Sequence, residues 1–129
     1  MLRGIRNRLF GDRGERLAEK HLRRLGMKLV ARQWRGPSGE VDLIMRDGHA
    51  YVFVEVKTRR AVVGSRPEEA VTRDKQRTLL RLANEWAALR ARRGEDRDAI
   101  AVRFDIVAVV WPEGGEPEVK HIRGAYEAS

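Results

Sequence analysis

Two short stretches of this sequence determine how its fold is interpreted: Gly39-Glu40-Val41-Asp42-Leu43-Ile44 and Val52-Phe53-Val54-Glu55-Val56-Lys57. Their valine, leucine, isoleucine and phenylalanine content is typical of β-strands that are buried in a sheet. Asp42, Glu55 and Lys57 interrupt these apolar runs. Because a charged side chain is costly to bury unless it is paired, hydrogen-bonded or bound to a metal, these three residues are the first candidates for a functional site.

The two stretches are expected to pair as a hairpin around the segment Asp47–Ala50. Side chains alternate between the two faces of a strand, so Glu55 and Lys57 project from the same face. In the register that the hairpin sets, Asp42 lies opposite Glu55, and directly opposed side chains have β-carbons about 5 Å apart. Two ionised carboxylates at that distance repel each other, and a divalent cation between them removes the repulsion.

Asp42 and Glu55 are therefore predicted metal ligands. Two carboxylates with water are a typical Mg²⁺ arrangement, in which a substrate phosphate completes the coordination shell. Such an ion, Mg²⁺ or Mn²⁺, polarises a phosphoryl oxygen and supplies hydroxide, while Lys57 orients the attacking water or neutralises developing charge. The alternative is an ordinary cross-strand Asp–Lys or Glu–Arg ion pair on a solvated face of the sheet.

The other elements place helices beside these strands. Apolar spacing predicts a first helix over Asp12–Leu25, followed by a strand over Met27–Trp34 and a turn at Gly36–Gly39. The two strands of the hairpin are expected over Glu40–Arg46 and Tyr51–Thr58, joined across Asp47-Gly48 by a four-residue loop in preference to a two-residue turn.

A second helix is expected to begin after the cap residue Thr72 and to end by Gly94. Its apolar face is formed by Leu79, Leu82, Ala83, Trp86 and Leu89. A further helical turn can open at Pro67–Glu69, a strong strand covers Ile100–Trp111, and a short last strand covers Val119–Ile122. The predicted order of elements is a helix, three strands, a second helix and one or two further strands. This order predicts an α/β fold with a mixed sheet, in which an antiparallel meander is extended through a crossover helix.

Composition restricts the function classes. The 129 residues are enough for one domain, expected over 1–129 with residues 1–10 and 124–129 frayed. The chain has no cysteine, which excludes disulfides, thiol nucleophiles and thiolate metal sites. The longest apolar run, Ile106–Trp111, is too short to cross a bilayer, and Met1–Phe10 lacks the apolar stretch of a signal peptide. We therefore expect a cytoplasmic protein with no membrane partner.

The charge of the chain predicts a polyanionic partner. The formal net charge is +8, and arginine dominates it, with 22 Arg against 5 Lys. A planar guanidinium binds phosphate oxygens in a bidentate manner, and clustered cations bind nucleic acid by releasing its counterions. The alternative is a compositional bias of a GC-rich or heat-adapted organism.

Asp42 with Glu55-Val56-Lys57 resembles the PD-(D/E)xK nuclease signature, in which an acidic residue precedes an acid-x-Lys motif on the next strand. More closely, the chain resembles the YraN-type family of small bacterial nuclease-like proteins, which is related in pattern to archaeal Holliday-junction resolvases. The matching segments are Gly11–Glu15, Ala31–Arg35, Gly39–Ile44, Val52–Arg59, Lys75 and Arg103–Val107. This resemblance implies a restriction-endonuclease-like core.

The resemblance also implies roles for individual residues. Asp42 and Glu55 would be the metal ligands, Lys57 the catalytic lysine, and Glu15 on the first helix an additional catalytic acid. For Glu15 the alternative is an ordinary first-turn glutamate that the helix dipole favours. The family often has Asn at the position of Gln33, a change that leaves the acid set intact.

Nucleic-acid contacts are expected from Thr58 and Arg59, which follow the motif, and from Lys75 near the start of the second helix. A solvated lysine is the alternative for Lys75. Asp105 interrupts a strand that looks buried, and we expect it to be a structural partner of Arg103 or of a residue in the first helix.

The sequence therefore predicts a Mg²⁺- or Mn²⁺-dependent endonuclease-like protein that hydrolyses DNA phosphodiesters, at branched or junction DNA as the resemblance implies. A twofold homodimer would suit this activity, because symmetric cuts need paired sites. The alternatives are a non-catalytic nucleic-acid-binding accessory protein with a vestigial metal site, and an interaction domain for acidic proteins.

Overall fold

The structure is a computed structural model that describes residues 2–61 and 71–126, with side chains from residue 10 onward. Two long helices and five strands form the described part, with one short 3₁₀ turn at Arg97–Ala99. In chain order the elements are α1 (Leu2–Arg24), β1 (Lys28–Gly36), β2 (Gly39–Asp47), β3 (Ala50–Arg60), α2 (Arg73–Arg92), β4 (Ala101–Trp111) and β5 (Glu118–Tyr126).

The five strands form one mixed sheet in the order β1-β2-β3-β4-β5. Strands β3 and β4 are parallel, and the other neighbouring pairs are antiparallel. Parallel neighbours need a crossover connection, and α2 lies in that connection. This arrangement confirms the predicted α/β fold and fits a restriction-endonuclease-like core.

Each helix covers one face of the sheet. On the α1 face, Ala18 and Leu22 pack against a cluster that includes Val52, Val54 and Val56. On the α2 face, the predicted apolar side of the helix packs against Tyr51, Phe53 and Phe104, with Leu79, Leu82, Ala83 and Trp86 all buried. The alternation of β3 between these two clusters confirms that its valines and its charged residues project from opposite faces.

The second helix matches its prediction. It spans Arg73–Arg92, and the side chain of Thr72 accepts a hydrogen bond from the backbone N–H of Lys75 at 3.2 Å. This is the N-cap contact that threonine provides at a helix start. The predicted turn at Pro67–Glu69 lies outside the described residues.

The loop of the hairpin differs from its prediction. Asp47 and Ala50 still pair, so Gly48-His49 form a two-residue turn, and the expected four-residue loop was wrong. Gly48 has a φ of 58°, the positive value that a type II′ turn needs at its first central residue. Because glycine adopts this conformation without a Cβ clash, the ladder continues to the last pair before the turn.

The first helix and the last strand are both longer than their predicted ranges. Helix α1 begins at Leu2, well before the predicted start at Asp12, and includes most of the segment that we expected to be frayed. Strand β5 extends to Tyr126, beyond the predicted end at Ile122, because it pairs with β4 as far as Phe104. In the described segments, neither helix is apolar enough over a sufficient length to cross a membrane.

Candidate active site

The sheet loses its regular alternation at Asp42. Leu43 packs on the α1 face, whereas Val41, two residues earlier, packs on the α2 face together with Ile44. The regular β2–β3 pairing runs from Asp47–Ala50 to Leu43–Val54. Asp42 therefore lies where the two strands begin to separate, within reach of both helical layers.

The hydrogen bond of Asp42 shows how this opening is stabilised. Its Oδ2 accepts a hydrogen bond from the backbone N–H of Val56 at 2.7 Å, so a side chain replaces a backbone acceptor between the strands. The register over the regular pairs is the predicted one, and its continuation places Asp42 opposite Glu55. Burial raises the pKa of Asp42, against the lowering effects of the Val56 N–H and of Lys75.

Glu55 is a buried carboxylate, with 5% of its surface exposed. Its Oε1 lies 3.8 Å from the Nζ of Lys57 and 3.9 Å from the Nζ of Lys75. Its Oε2 is buried and has no hydrogen-bond partner among the described residues. Burial, followed by the negative charge of Asp42, raises the pKa of Glu55 to about 7, although both lysines act in the opposite direction.

Lys75 lies inside this site and not on an open helix face. Its Nζ donates a hydrogen bond to the backbone carbonyl of Glu40 at 3.3 Å, and about a third of its side chain is exposed. From the sequence, Lys75 is expected to bind phosphate or to be solvated. The position of Glu55 relative to α2 could not be read from the sequence, because it depends on how the helix packs on the sheet.

Glu15 reaches the site from α1. Burial raises the pKa of the Glu15 carboxyl to about 7. The hydrogen bond from Gln33 lowers this pKa, and the negative charge of Asp42 raises it further. The Nε2 of Gln33 donates that bond to Oε2 of Glu15 at 3.0 Å. The structure thus brings together Glu15, Asp42, Glu55 and Lys57, the four residues expected to be catalytic.

The approach of α1 depends on Gly14. A Cβ at Gly14 would overlap the side chain of Thr58 on β3, so glycine allows the helix to lie close to the sheet one residue before Glu15. Thr58 therefore packs against α1 at the edge of the site. Arg59 follows it and is partly buried. Phosphate contacts by these two residues stay predictions.

Two residues near the acids were not expected from the sequence. Gln33 has a φ of 47°, a left-handed conformation that is uncommon for a residue other than glycine, in the middle of β1. The hydroxyl of Tyr126 is buried with no hydrogen-bond partner in the described part of the chain. Burial, with the negative charge of Glu55, raises the pKa of Tyr126. The sequence does not indicate the left-handed backbone of Gln33 or the buried hydroxyl of Tyr126, because both depend on tertiary packing.

Asp105 confirms its predicted structural role. Its carboxylate accepts hydrogen bonds from Nε and Nη2 of Arg103 at 2.9 and 3.1 Å, and from the backbone N–H of Gly124 at 3.0 Å. The Nε2 of His121 lies 2.7 Å from the same carboxylate, a partner that the sequence did not indicate. Asp105 thereby connects β4 to β5.

The residues of the site fit a hydrated divalent cation held by two carboxylates. Within residues 2–61 and 71–126, no group of three or more His, Cys, Asp and Glu side chains is arranged to hold a metal ion. The negative charge of Asp42 acts on Glu55, and the Oε2 of Glu55, which has no partner in the described part of the chain, is an oxygen that a cation would satisfy. Since Mg²⁺ commonly retains several waters and uses one or two protein carboxylates, this pair matches its requirements.

Comparison with known proteins identifies the family. The profile of the Uncharacterised protein family UPF0102 matches residues 14–109. A UPF0102 protein of Rhodococcus jostii (strain RHA1) is 45% identical over 120 residues, covering 93% of this chain and 98% of the relative. A UPF0102 protein of Beutenbergia cavernae is 46% identical over 115 residues, which cover 89% of this chain and 93% of the relative. A UPF0102 protein of Geotalea daltonii is 39% identical over 121 residues, which cover 94% of this chain and 91% of the relative. The chain belongs to the UPF0102 family.

Proposed function

We propose that this protein is a Mg²⁺- or Mn²⁺-dependent endonuclease that hydrolyses DNA phosphodiesters and belongs to the PD-(D/E)xK nuclease superfamily. The observation that carries the proposal is the buried carboxylate of Glu55, which has one oxygen without a partner among the described residues, lies near two lysines and experiences the negative charge of Asp42. A fold that only needed stability would gain little from this group, because a buried charge without full pairing is costly.

The side chains have complementary tasks in such a reaction. Asp42 and Glu55 would hold the cation, which supplies a polarised phosphoryl oxygen and a water of lowered pKa when it is bound. Lys57 carries a positive charge beside Glu55, where it can stabilise the negative charge that develops on the phosphate. Lys75 lies at a similar distance from the same oxygen and can assist it.

Glu15 can exchange a proton in this reaction. A carboxyl group with a pKa of about 7 is present in both protonation states at neutral pH. General acid–base catalysis is most effective when the pKa lies near the operating pH. Glu15 is therefore the residue that we assign to proton transfer with the attacking water or the leaving oxygen.

The substrate class is the second part of the proposal. The net charge of +8 supports a polyanionic substrate, and the resemblance to resolvases directs the choice to branched or junction DNA. A homodimer would place two sites on one junction, and a cytoplasmic location would give access to DNA.

The test is cleavage of branched and linear DNA by the purified protein with Mg²⁺, with Mn²⁺ and with EDTA. We expect metal-dependent cleavage, and a loss of about 100-fold or more in the Lys57→Ala variant, typical for the removal of a charge-stabilising group. Lys28→Ala, an exposed lysine on β1, is the matched control and should retain wild-type activity. Absence of cleavage with both metals, or equal activity of the two lysine variants, would contradict the proposal.

A non-catalytic DNA-binding role is the second candidate. The observation in its favour is that Lys75 places a positive charge 3.9 Å from Glu55, so a protein cation already compensates this carboxylate in part. This role predicts tight, salt-sensitive DNA binding that Mg²⁺ leaves unchanged, with no cleavage product. The same DNA substrates, used in a titration, separate the two functions.

A further inference from the structure

An open groove of about 1020 Å³ lies between the exposed side of α1 and β1, and Glu15 is one of its lining residues. Among the described residues that line it, five are basic and three are acidic. The groove is thus predominantly positive and is continuous with the candidate active site. The residues expected to bind nucleic acid, Thr58, Arg59 and Lys75, do not line it.

Three of its cations form a row on α1. Arg16, Lys20 and Arg24 follow each other at four-residue spacing, which places them on one side of the helix. All three are exposed, and their side chains make no hydrogen bond or ion pair with another side chain in the described segments. At 1.5 Å per residue the row is about 12 Å long, which corresponds to three or four nucleotides of one strand at 3.4 Å each.

The opposite wall holds a guanidinium in a fixed orientation. Nε and Nη2 of Arg32 on β1 donate to the carboxylate of Glu19 at 2.7 and 3.0 Å. The same carboxylate lies 3.0 Å from Nε of Arg23. A guanidinium has five N–H donors, so Arg32 retains three for another ligand while Glu19 restricts its motion. Arg32 is 62% exposed along its side chain, and these donors can reach the groove.

We propose that this groove binds the sugar-phosphate backbone of one nucleic-acid strand next to the phosphodiester at the site. The row on α1 would contact successive phosphates, and Arg32 would contact a phosphate from the β1 side. This inference rests on the proposed function in one respect, namely that the bound nucleic-acid strand continues from the groove into the candidate active site. Glu15 belongs to both the groove and that site. The contacts are to phosphates, so we expect little dependence on base sequence.

The test compares two triple variants with the same change in charge. Arg16→Ala/Lys20→Ala/Arg24→Ala removes the row on α1, and Arg81→Ala/Arg92→Ala/Arg93→Ala removes three exposed arginines at α2 and its C-terminal cap. Binding to fluorescent duplex and single-stranded DNA is measured by anisotropy in EDTA over a range of salt concentrations. Thermal unfolding of both variants checks that they are folded.

The groove variant is expected to bind DNA at least tenfold more weakly at low salt. The slope of log K against log salt should become less steep by two to three, since each phosphate contact contributes about 0.9 on duplex DNA. The α2 variant should change affinity less than threefold. Equal weakening by both variants would overturn the assignment, because affinity would then follow net charge alone. Equal competition by poly-glutamate and by unlabelled DNA would also overturn it and indicate an acidic protein partner.

Binding is measured without metal, so its outcome is independent of catalysis. Groove-dependent binding by a protein that never cleaves DNA would contradict the proposed function and leave the groove assignment standing. If the groove variant cleaves DNA in a metal-dependent reaction and binds DNA with unchanged affinity, the groove assignment is contradicted and the proposed function stands.

Discussion

Replacing Glu55 by glutamine should stabilise the metal-free protein at alkaline pH. Burial and the negative charge of Asp42 raise the pKa of Glu55 from 4.5 to about 7 in the folded state. A carboxyl group with a raised folded pKa is tolerated in its protonated form and penalised in its ionised form. Its contribution to stability is therefore fully present below pH 4.5 and is lost as the pH rises through about 7.

The size of the effect follows from that difference in pKa. At about 1.4 kcal/mol per pH unit, the penalty on ionised Glu55 amounts to roughly 3 kcal/mol above pH 7. Glutamine has nearly the same shape and cannot ionise. Glu55→Gln should therefore raise the free energy of unfolding by up to about 3 kcal/mol at pH 8 and change it little at pH 5.

Urea denaturation in EDTA at pH 5 and pH 8 measures this difference. Glu118→Gln, an exposed glutamate on β5, is the control and should change stability by less than about 0.5 kcal/mol at either pH. Adding Mg²⁺ at pH 8 should stabilise the wild type, by about 2.7 kcal/mol at a hundredfold excess over Kd, and leave Glu55→Gln unaffected. If Glu55→Gln is destabilised equally at both pH values, the carboxylate is not under the repulsion that we describe.

Three further substitutions test the packing around the site, each by urea denaturation. Asp105→Asn should cost roughly 3–5 kcal/mol at pH 7, as expected for breaking a buried ion pair. Burial opposes a low pKa at Asp105, but the hydrogen bonds with His121 and Arg103 hold this pKa below its usual value. The stabilisation by ionised Asp105 is therefore present at neutral pH and is lost as the pH falls through the folded pKa. An equal difference in stability between Asp105→Asn and the wild type at low pH would argue against this cause. Gly14→Ala should cost about 1–3 kcal/mol through overlap with Thr58, and Thr58→Ala in the same chain should recover part of it; no recovery would place the strain elsewhere. Thr72→Ala should cost about 1 kcal/mol through loss of the helix cap, and a neutral result would mean that α2 does not depend on it.

The parts of the site that depend on strand periodicity could be predicted from the sequence. Valine occupies every second position of β3 from Val52 to Val56. This alternation places Glu55 and Lys57 on the opposite face of the strand, whichever strands lie beside it. The short connection after Asp47 fixes the register and thereby the level of Asp42. Both inferences survive the error in the loop, because a four-residue loop and a two-residue turn closed by the Asp47–Ala50 pair have the same register.

The parts that depend on packing between layers could not be predicted. Lys75 is one cation among many in the sequence, and only the position of α2 on the sheet brings it to Glu55. His121 reaches Asp105 because β5 pairs with β4, which a weakly apolar segment does not indicate. Glu15 was expected from the resemblance alone, since neither its helix nor its neighbours in sequence show what it faces.

The irregular backbone of the edge strand β1 and its neighbour β2 explains how one site collects groups from both layers. A strand with strict alternation presents each side chain to a single layer, so an acid on the α2 face would be out of reach of α1. Gln33 on β1 adopts a positive φ beside the level of Asp42, and at the same level Val41 and Leu43 face opposite layers. Asp42 can therefore accept the Val56 N–H, act on Glu15 from α1 and face Glu55 with its two lysines. A left-handed glutamine costs on the order of 1–3 kcal/mol, and such strain persists where the surrounding structure enforces it, most often at functional sites. Since Gln33 also donates to Glu15, the residue that carries the strain is the one that orients the acid from the other layer.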